Sequence, residues 1–150
     1  MYGSVSDQPS LEWSWVQAQL DTAGTYWVVA RAAAHPHPCP VWGVWDQRVL
    51  FLSIGSPTIA RQLESDPTIT VHLDSGTDVV IIEGRVSGST VEPSVIERYN
   101  AKYDWDYDVA EYGPLTSISP ATVMAWRSAD WAGRGGFQST GRWTLPAADE

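Results

Sequence analysis

Hydrophobic and polar side chains alternate along several short stretches of the chain, which is the pattern of β-strands with one buried face. The clearest stretch runs from Thr68 to Asp74, where Ile69, Val71 and Leu73 share one side. Val79 to Ile82 is instead continuously apolar, so it is predicted to lie in a strand buried on both faces. The predicted strands are Tyr26 to Ala32, His37 to Trp45, Arg48 to Ile54, Thr68 to Asp74, Asp78 to Val86, Thr122 to Arg127 and Thr140 to Leu145.

Three further stretches have the spacing and start signals of amphipathic helices. Ser10 is predicted to cap the first helix. Ser56, with Pro57 in the first helical position, predicts a second, short helix that ends near Glu64. Pro93 begins the third helix. The apolar faces comprise Trp13, Val16 and Leu20 in the first helix and Val95, Ile96, Tyr99 and Tyr103 in the third.

The number and length of these elements favour one fold class. About six or seven short strands with two or three helices, and too few long connections for a parallel sheet, predict a mostly β protein built as a small antiparallel barrel. Gly84 interrupts the fifth predicted strand and indicates a bulge or a close backbone approach. No internal repeat or second domain is found, so residues 1–150 are expected to form one domain.

Composition restricts the classes of function. The chain has 9 Lys+Arg against 18 Asp+Glu, a formal charge of -9, so nucleic acid would be repelled. No apolar stretch is long enough to cross a bilayer. The single cysteine, Cys39, cannot form an internal disulfide, and Met1 to Ser10 lacks the pattern of a signal peptide. A cytoplasmic protein is therefore expected.

The best candidate for an anion site lies between the third predicted strand and the helix that follows it. Free amides at a helix start, together with nearby hydroxyl groups, can hold a phosphate. The hydroxyl groups here belong to Ser53, Ser56 and Thr58, and Arg61 lies one turn into the helix. The alternative is an ordinary helix cap with Arg61 in solvent.

Other polar clusters do not match a recognised chemical site. His35, His37 and Cys39 alternate, but no fourth ligand stands at a suitable spacing, so no metal site is predicted. Asp104 to Asp108 imitates the start of a calcium loop without its glycine or its final glutamate. Gly133 to Gly136 is interpreted as a flexible connection. No local motif supports a catalytic nucleophile or base, so no catalytic residue is named.

Several short segments resemble the pyridoxamine 5'-phosphate oxidase-like flavin and deazaflavin oxidoreductases, and in particular their actinobacterial split β-barrel branch. The resemblance extends over nearly the whole chain, from about Trp13 to Leu145. The segments that carry it are Tyr26 to Arg31, Pro36-His37, Pro40 to Trp45, Ala60 to Leu63, Val79 to Gly84, Tyr99 to Tyr103, Ala125-Trp126 and Gly141 to Thr144.

This resemblance implies a split-barrel homodimer with two equivalent cofactor grooves at its interface. In such a family the flavin or deazaflavin ring lies against the strands that match Pro40 to Trp45 and Arg48 to Ile54, and the phosphate lies at the helix that begins at Ser56. Trp42 would form a wall for the ring, and Gly43 would allow close backbone approach. The implied cofactor-binding residues are Pro40, Val41, Trp42, Gly43, Ser53, Ile54, Gly55, Ser56, Thr58, Ile59 and Arg61, with Arg142 and Trp143 from the partner subunit's C-terminal strand.

The sequence departs from the family pattern at two places. The family usually has a lysine just before Ala-Arg-Asn-Leu, whereas this chain has Ile59, and Ala33-Ala34 replaces the usual Asp-Gly turn. A charge-assisted hydrogen bond contributes roughly 1.5–3 kcal/mol, so losing the lysine is expected to weaken phosphate binding about ten- to a hundredfold. Either Arg61 compensates, or the cofactor binds weakly or not at all.

The resemblance therefore implies an oxidoreductase that uses coenzyme F420 or FMN for hydride transfer to a small molecule, with F420 favoured on likeness alone. In such enzymes the coenzyme performs the chemistry, and the protein orients its ring, holds its phosphate and excludes water. The alternative is a split barrel that binds a cofactor or another ligand without catalysis, its phosphate site having decayed. A purely structural dimer is a third possibility.

Overall fold

A computed structural model describes residues 10–127 and 139–146, and within these ranges the chain forms one antiparallel sheet that closes on itself. The strand order is β3-β2-β1-β4-β5-β6-β7, and an additional pairing of β3 with β6 closes a six-stranded barrel with β7 outside it. The mostly β, antiparallel fold predicted from the sequence is confirmed. The strands are β1 (Tyr26–Ala30), β2 (Cys39–Asp46), β3 (Val49–Ser53), β4 (Thr68–Leu73), β5 (Asp78–Thr90), β6 (Leu115–Arg127) and β7 (Thr140–Thr144).

Four helices connect or flank these strands in the described part of the chain. They are α1 (Trp13–Thr22), α2 (Pro57–Ser65), α3 (Pro93–Tyr103) and α4 (Val109–Tyr112). The first three were predicted, whereas no helix was predicted for α4, which directly follows Asp104 to Asp108. None of the four is long and apolar enough to span a membrane.

The barrel interior is filled by alternate residues of each strand, as the sequence pattern requires. Along β4, Ile69, Val71 and Leu73 are buried while the intervening side chains are not. The same alternation occurs along β1, where Tyr26, Val28 and Ala30 are buried. They belong to one core cluster with Val16 and Leu20 of α1.

The opposite side of the sheet is also rich in apolar side chains. Val79 and Ile81 alternate with the buried Val80 and Ile82 and are only half-buried. The prediction of a strand buried on both faces is therefore wrong for the single chain. Cross-strand pairing places Ile81 between His72 of β4 and Met124 of β6. We use the term outer face for the half-buried, outward-pointing residues Trp27, His72, Val79, Ile81, Met124 and Trp126.

The start of α1 differs from the prediction because Ser10 has a distant partner. The helix begins at Trp13, and its N-cap position is Glu12, which makes no side-chain capping hydrogen bond. The Ser10 hydroxyl accepts a hydrogen bond from the Thr140 amide at 3.0 Å, and the Ser10 amide donates to the Thr140 carbonyl at 2.9 Å. Ser10 thus extends the hydrogen bonding of β7 instead of capping a helix.

Two other boundaries were misplaced by the sequence patterns. Arg48, predicted to begin β3, belongs with Gln47 to the preceding turn, where both residues have positive φ. Strand β6 begins at Leu115 rather than Thr122, because its first half pairs with both β3 and β5. The predicted irregularity at Gly84 is confirmed: the register of β5 and β6 shifts there, and a Cβ on Gly84 would lie 2.6 Å from the Ser119 carbonyl oxygen.

Candidate functional site

The strand-to-helix junction forms as predicted, with Ser56 as the cap of α2. The Ser56 hydroxyl accepts a hydrogen bond from the Ile59 amide at 3.3 Å, and Pro57 occupies the first helical turn. One amide at this helix start is therefore already paired within the chain. Ser56 serves the capping role that sequence reasoning kept as the alternative to phosphate binding.

Ile59, which replaces the family's usual lysine, is part of the protein core. Its side chain is fully buried and belongs to the same cluster as the barrel interior, against which Ile54 also packs. Ile59 is therefore an apolar packing residue, and this position contributes no positive charge to the junction.

The structure places the predicted phosphate-binding residues Ser53 and Arg61 in two different depressions, and Ser56 lines neither of them. Thr58 and Arg61 line a pocket of about 400 Å³ together with Arg31 and His35. We call this the arginine pocket, defined by Arg31, His35, Thr58 and Arg61. Arg31 and Arg61 both line this pocket in a strongly acidic chain, and Arg31 Nη1 also lies 3.6 Å from the Asp66 carboxylate. Ser53 and Gly55 face a different depression.

Five of the nine residues that line that second depression are aromatic. We call it the aromatic trough; it has a volume of about 340 Å³, and none of the residues that line it is charged. Trp42, Tyr99 and Trp105 form the walls near the exposed end of β2. The full lining is Pro40, Val41, Trp42, Ser53, Gly55, Tyr99, Trp105, Tyr107 and Tyr112.

Five of these residues were named from the sequence, and four were missed. The missed residues, Tyr99, Trp105, Tyr107 and Tyr112, lie in α3, in α4 and in the segment between them. Tyr99 was predicted on the apolar face of its helix, and the other three lie between Asp104 and Tyr112, a segment that is both acidic and aromatic. The density of aromatic residues in that segment was the available signal.

The rings around Trp42 are arranged in a fixed and partly exposed cluster. The Trp42 and Tyr103 rings stack in parallel, with centroids 4.4 Å apart and planes 1° apart, while Trp105 meets Trp42 edge-on at 6.0 Å. Trp42, Trp105 and Tyr112 remain 40%, 48% and 48% exposed. Large aromatic surfaces left in water around one depression are typical of a site for a flat ligand.

The Tyr99 hydroxyl group in the trough is neutral at ordinary pH. Burial raises the pKa of Tyr99 to about 12, although a hydrogen bond with Ser53 acts in the opposite direction. The Tyr107 hydroxyl donates to the Gly113 carbonyl at 2.8 Å. The trough is therefore suited to an uncharged ring, and anionic groups of a ligand would be attracted to the arginine pocket.

Gly43 has a packing role inside the barrel. A Cβ at this position would lie 2.6 Å from both Leu52 Cδ2 and the Phe51 carbonyl oxygen, so only glycine lets β2 lie this close to β3. Gly43 is buried and does not line the trough, although its neighbour Trp42 does.

Arg142 and Trp143 do not line the trough or the arginine pocket of their own subunit. Arg142 is exposed on β7, whereas Trp143 packs against Trp13 with centroids 5.3 Å apart and covers Gly141. A contribution of either residue to a cofactor site therefore requires a second subunit.

The remaining polar clusters add no site in the described part of the chain. No group of three or more histidine, cysteine or acidic side chains is placed to hold a metal ion among residues 10–127 and 139–146. Gly133 to Gly136 lies outside the described residues.

No protein-family model and no curated protein matches the sequence. Solved structures match over most of the chain. An F420 reductase is 15% identical with a TM-score of 0.58, covering 71% of this chain and 94% of its own. A FAD-binding protein from Mesorhizobium loti is 12% identical with a TM-score of 0.57, covering 75% and 92%.

An assigned pyridoxamine 5'-phosphate oxidase from Listeria innocua is 18% identical with a TM-score of 0.59, covering 75% of this chain and 95% of its own. The fold is the split β-barrel of pyridoxamine 5'-phosphate oxidase-like proteins. In this split barrel, Ser53 and Gly55 of the junction that the sequence singled out border the aromatic trough, and Thr58 and Arg61 line the arginine pocket.

Proposed function

We propose that this split barrel is an oxidoreductase that binds coenzyme F420 or FMN and transfers hydride to a small molecule. The observation that carries the proposal is an uncharged aromatic trough bordered by Ser53 and Gly55, together with a pocket lined by Thr58 and Arg61 of the helix that follows them in the chain. Flavin-type cofactors combine a flat ring with an anionic phosphate chain, and these two depressions offer a partner for each part.

The residues present fit such a cofactor in their chemistry. Trp42 and Trp105 supply exposed rings against which a planar system can stack, and Ser53 and Gly55 border the same space. Arg61 and Thr58 supply a guanidinium group and a hydroxyl for phosphate oxygens. When bound, the cofactor supplies the hydride chemistry, while the protein binds it, orients its ring and limits access of water. The similarity to an F420 reductase supports F420 as the first candidate.

The active form in this proposal is a homodimer that forms through the outer face. This face is mainly apolar, with His72 between Trp27 and Ile81, and Trp27, Ile81 and Trp126 are half-buried in the single chain. Burying such a surface against a second copy removes it from water, and the self-pairing of one face is the usual geometry of a two-fold dimer. The partner subunit's Arg142 and the partner subunit's Trp143 would then contribute to the groove.

A second candidate function is the binding of a cofactor or another flat ligand without catalysis. The buried Ile59 favours it, because the phosphate loses the cation that the family usually provides. The high pKa of Tyr99 also favours it, because that phenol is a weak acid for proton transfer near neutral pH.

The first experiment is a separate titration of the protein with FMN and with F420, followed by quenching of tryptophan fluorescence. We expect quenching by at least one cofactor at tens of micromolar, since Trp42 and Trp105 line the proposed ring site. No quenching by either cofactor would contradict the proposal. Turnover of the bound, reduced cofactor with a panel of small acceptors separates the enzyme from the non-catalytic binding protein.

The two depressions can be tested individually with Arg61→Gln and two flavins. FMN carries a phosphate that riboflavin lacks, so the variant should bind FMN about ten- to a hundredfold more weakly and riboflavin with unchanged affinity. Arg85→Gln is the matched control, because Arg85 is exposed on β5 and lines neither depression. If Arg61→Gln lost the same affinity for FMN and for riboflavin, Arg61 would not bind the phosphate.

A further inference from the structure

The edge of β2 next to the trough is held by a helix instead of a strand. The pairing of β1 with β2 ends at Tyr26 and Val41, so the backbone of Gly43 lies beyond the ladder between the two strands. The last two residues of α3, Lys102 and Tyr103, form hydrogen bonds with the amide and the carbonyl group of Gly43. Tyr103 Oη accepts a hydrogen bond from the Gly43 amide at 2.9 Å, and Lys102 Nζ donates one to the Gly43 carbonyl at 2.8 Å.

Lys102 is the single lysine of the chain, and its ammonium group is placed among three elements. It donates a second hydrogen bond, of 2.9 Å, to the hydroxyl of Tyr26, which in turn donates to the Leu20 carbonyl of α1. The nitrogen also lies 5.2 Å from the centroid of the Tyr103 ring, within cation–π range. A long flexible side chain is thereby fixed in one position.

This arrangement reaches the trough through Tyr103. Its hydroxyl lies within donating distance of the Gly24 carbonyl, at 3.0 Å, and of the Gly43 carbonyl, at 3.1 Å, so backbone groups hold the hydroxyl end of the side chain. The ring of Trp42 lies parallel to the anchored Tyr103 ring at 4.4 Å. The orientation of Trp42, and hence the wall it presents to a ligand, depends on where Tyr103 and Gly43 are held.

We propose that Lys102 is a positioning residue of the aromatic trough, whose ammonium group fixes Gly43 and Tyr103 and thereby orients the Trp42 ring for a flat ligand. The identity of that ligand rests on the proposed function, but the orientation of Trp42 is a property of the ligand-free chain. A preorganised Trp42 ring binds a ligand more tightly, because the side chain loses less conformational entropy on binding.

The surroundings of Lys102 make this positioning sensitive to pH. Burial lowers the pKa of Lys102 to about 8; the nearby Arg98 acts in the same direction, and Asp21 of α1 opposes it. The other titratable groups that face it are the phenols of Tyr26 and Tyr103, and β2 presents the Gly43 carbonyl. Deprotonation removes the cation–π attraction and weakens both hydrogen bonds.

The first test measures the near-UV circular dichroism of the ligand-free protein. The difference between the spectra of the unmodified protein and of Trp42→Phe gives the contribution of Trp42. Lys102→Met should lose most of that contribution at pH 7, while Glu97→Gln, an exposed position on the same helix, should retain it. In the unmodified protein the signal should fall as pH rises from about 7 to 9, and Lys102→Arg should hold it constant because arginine stays charged. A full Trp42 signal in Lys102→Met would overturn the proposal.

The second test measures FMN affinity in the same variants. Lys102→Met should bind FMN about tenfold more weakly at pH 7, the scale of one lost hydrogen bond, with no loss for Glu97→Gln. If Lys102→Met does not fold, as judged by far-UV circular dichroism, Tyr103→Phe replaces it. That variant keeps the stacked ring but loses the anchor at Gly43, and an unchanged Trp42 signal in it would contradict the proposal equally.

The two proposals fail in different ways. If the unmodified protein binds neither FMN nor F420, the proposed cofactor function fails, and the circular dichroism still decides the role of Lys102. If FMN binds but Lys102→Met changes neither the signal nor the affinity, the positioning role fails and the cofactor function stands.

Discussion

Single residues set the distances on which the site depends, and Gly43 shows this most directly. Its lack of a side chain allows β2 and β3 to pack with Leu52 and Phe51 where a Cβ would lie. Its backbone groups are the ones that Lys102 and Tyr103 hold. The family resemblance implied a close backbone approach at Gly43, and in the structure the approaching group is the neighbouring strand β3.

We expect Gly43→Ala to destabilise the fold by about 1–3 kcal/mol, because the added methyl group requires β2 and β3 to move apart. Chemical denaturation measures this loss. Gly76→Ala is the control, since a Cβ at Gly76 would meet no atom within 4 Å. Equal stability of the two variants would mean that the strands separate at no cost.

Lys102 also determines a dependence of stability on pH. Its pKa in the folded chain is about 8, compared with 10.5 for an ordinary lysine. Between these values the unfolded chain retains a proton that the folded chain has released, so the unfolding free energy rises with pH. Below about pH 8 the folded chain bears the full cost of burying the charge.

Urea unfolding of the unmodified protein and of Lys102→Met, measured from about pH 7 to 10, checks this sign. The stability of the unmodified protein relative to the variant should increase as pH rises above about 8. A difference that does not change over this range would show that Lys102 titrates as it does in the unfolded chain.

At the scale of secondary-structure elements, local signals were reliable where their partners are close in sequence. Ser56 caps α2 as predicted, because the amide it binds lies three residues ahead. Ser10 has the same side chain before a predicted helix, yet it pairs with Thr140, 130 residues away. A capping pattern therefore predicts a helix start only when no strand edge competes for the hydroxyl.

Ser56→Ala removes the cap of α2 and should lower the unfolding free energy by about 0.5–2 kcal/mol. Thermal and urea unfolding measure the change. Ser94→Ala is a matched control in the first turn of α3, where the exposed Ser94 is not the cap residue. The cap assignment would be wrong if both variants were equally stable.

At the scale of the whole molecule, the outer face leaves an apolar surface that one chain does not bury. Val79 and Ile81 were expected to be covered on both sides, and in the single chain they are half-buried. Covering this face with a second copy would reconcile the sequence pattern with the fold, and it would bring the partner's Trp143 and the partner's Arg142 to a shared groove.

Ile81→Lys places a charge in the centre of the outer face and should convert a dimer into a monomer, because the interface would have to bury that charge. Sedimentation velocity at micromolar concentrations measures the change. Ser89→Lys is the control, since Ser89 is exposed further along the same strand. A monomeric unmodified protein, or a dimeric Ile81→Lys variant, would exclude the outer face as the interface.

The sequence by itself determined what neighbouring residues decide: the alternating strands, the helix start at Ser56 and the antiparallel class of the fold. These follow from periodicities and caps that span only a few residues. Only the tertiary structure shows that Trp105 and Tyr112 line the same depression as Trp42 and Ser53. It also shows that Ser53 and Arg61 line different depressions. Such contacts depend on how the barrel closes and how α3 crosses it, which no local pattern encodes.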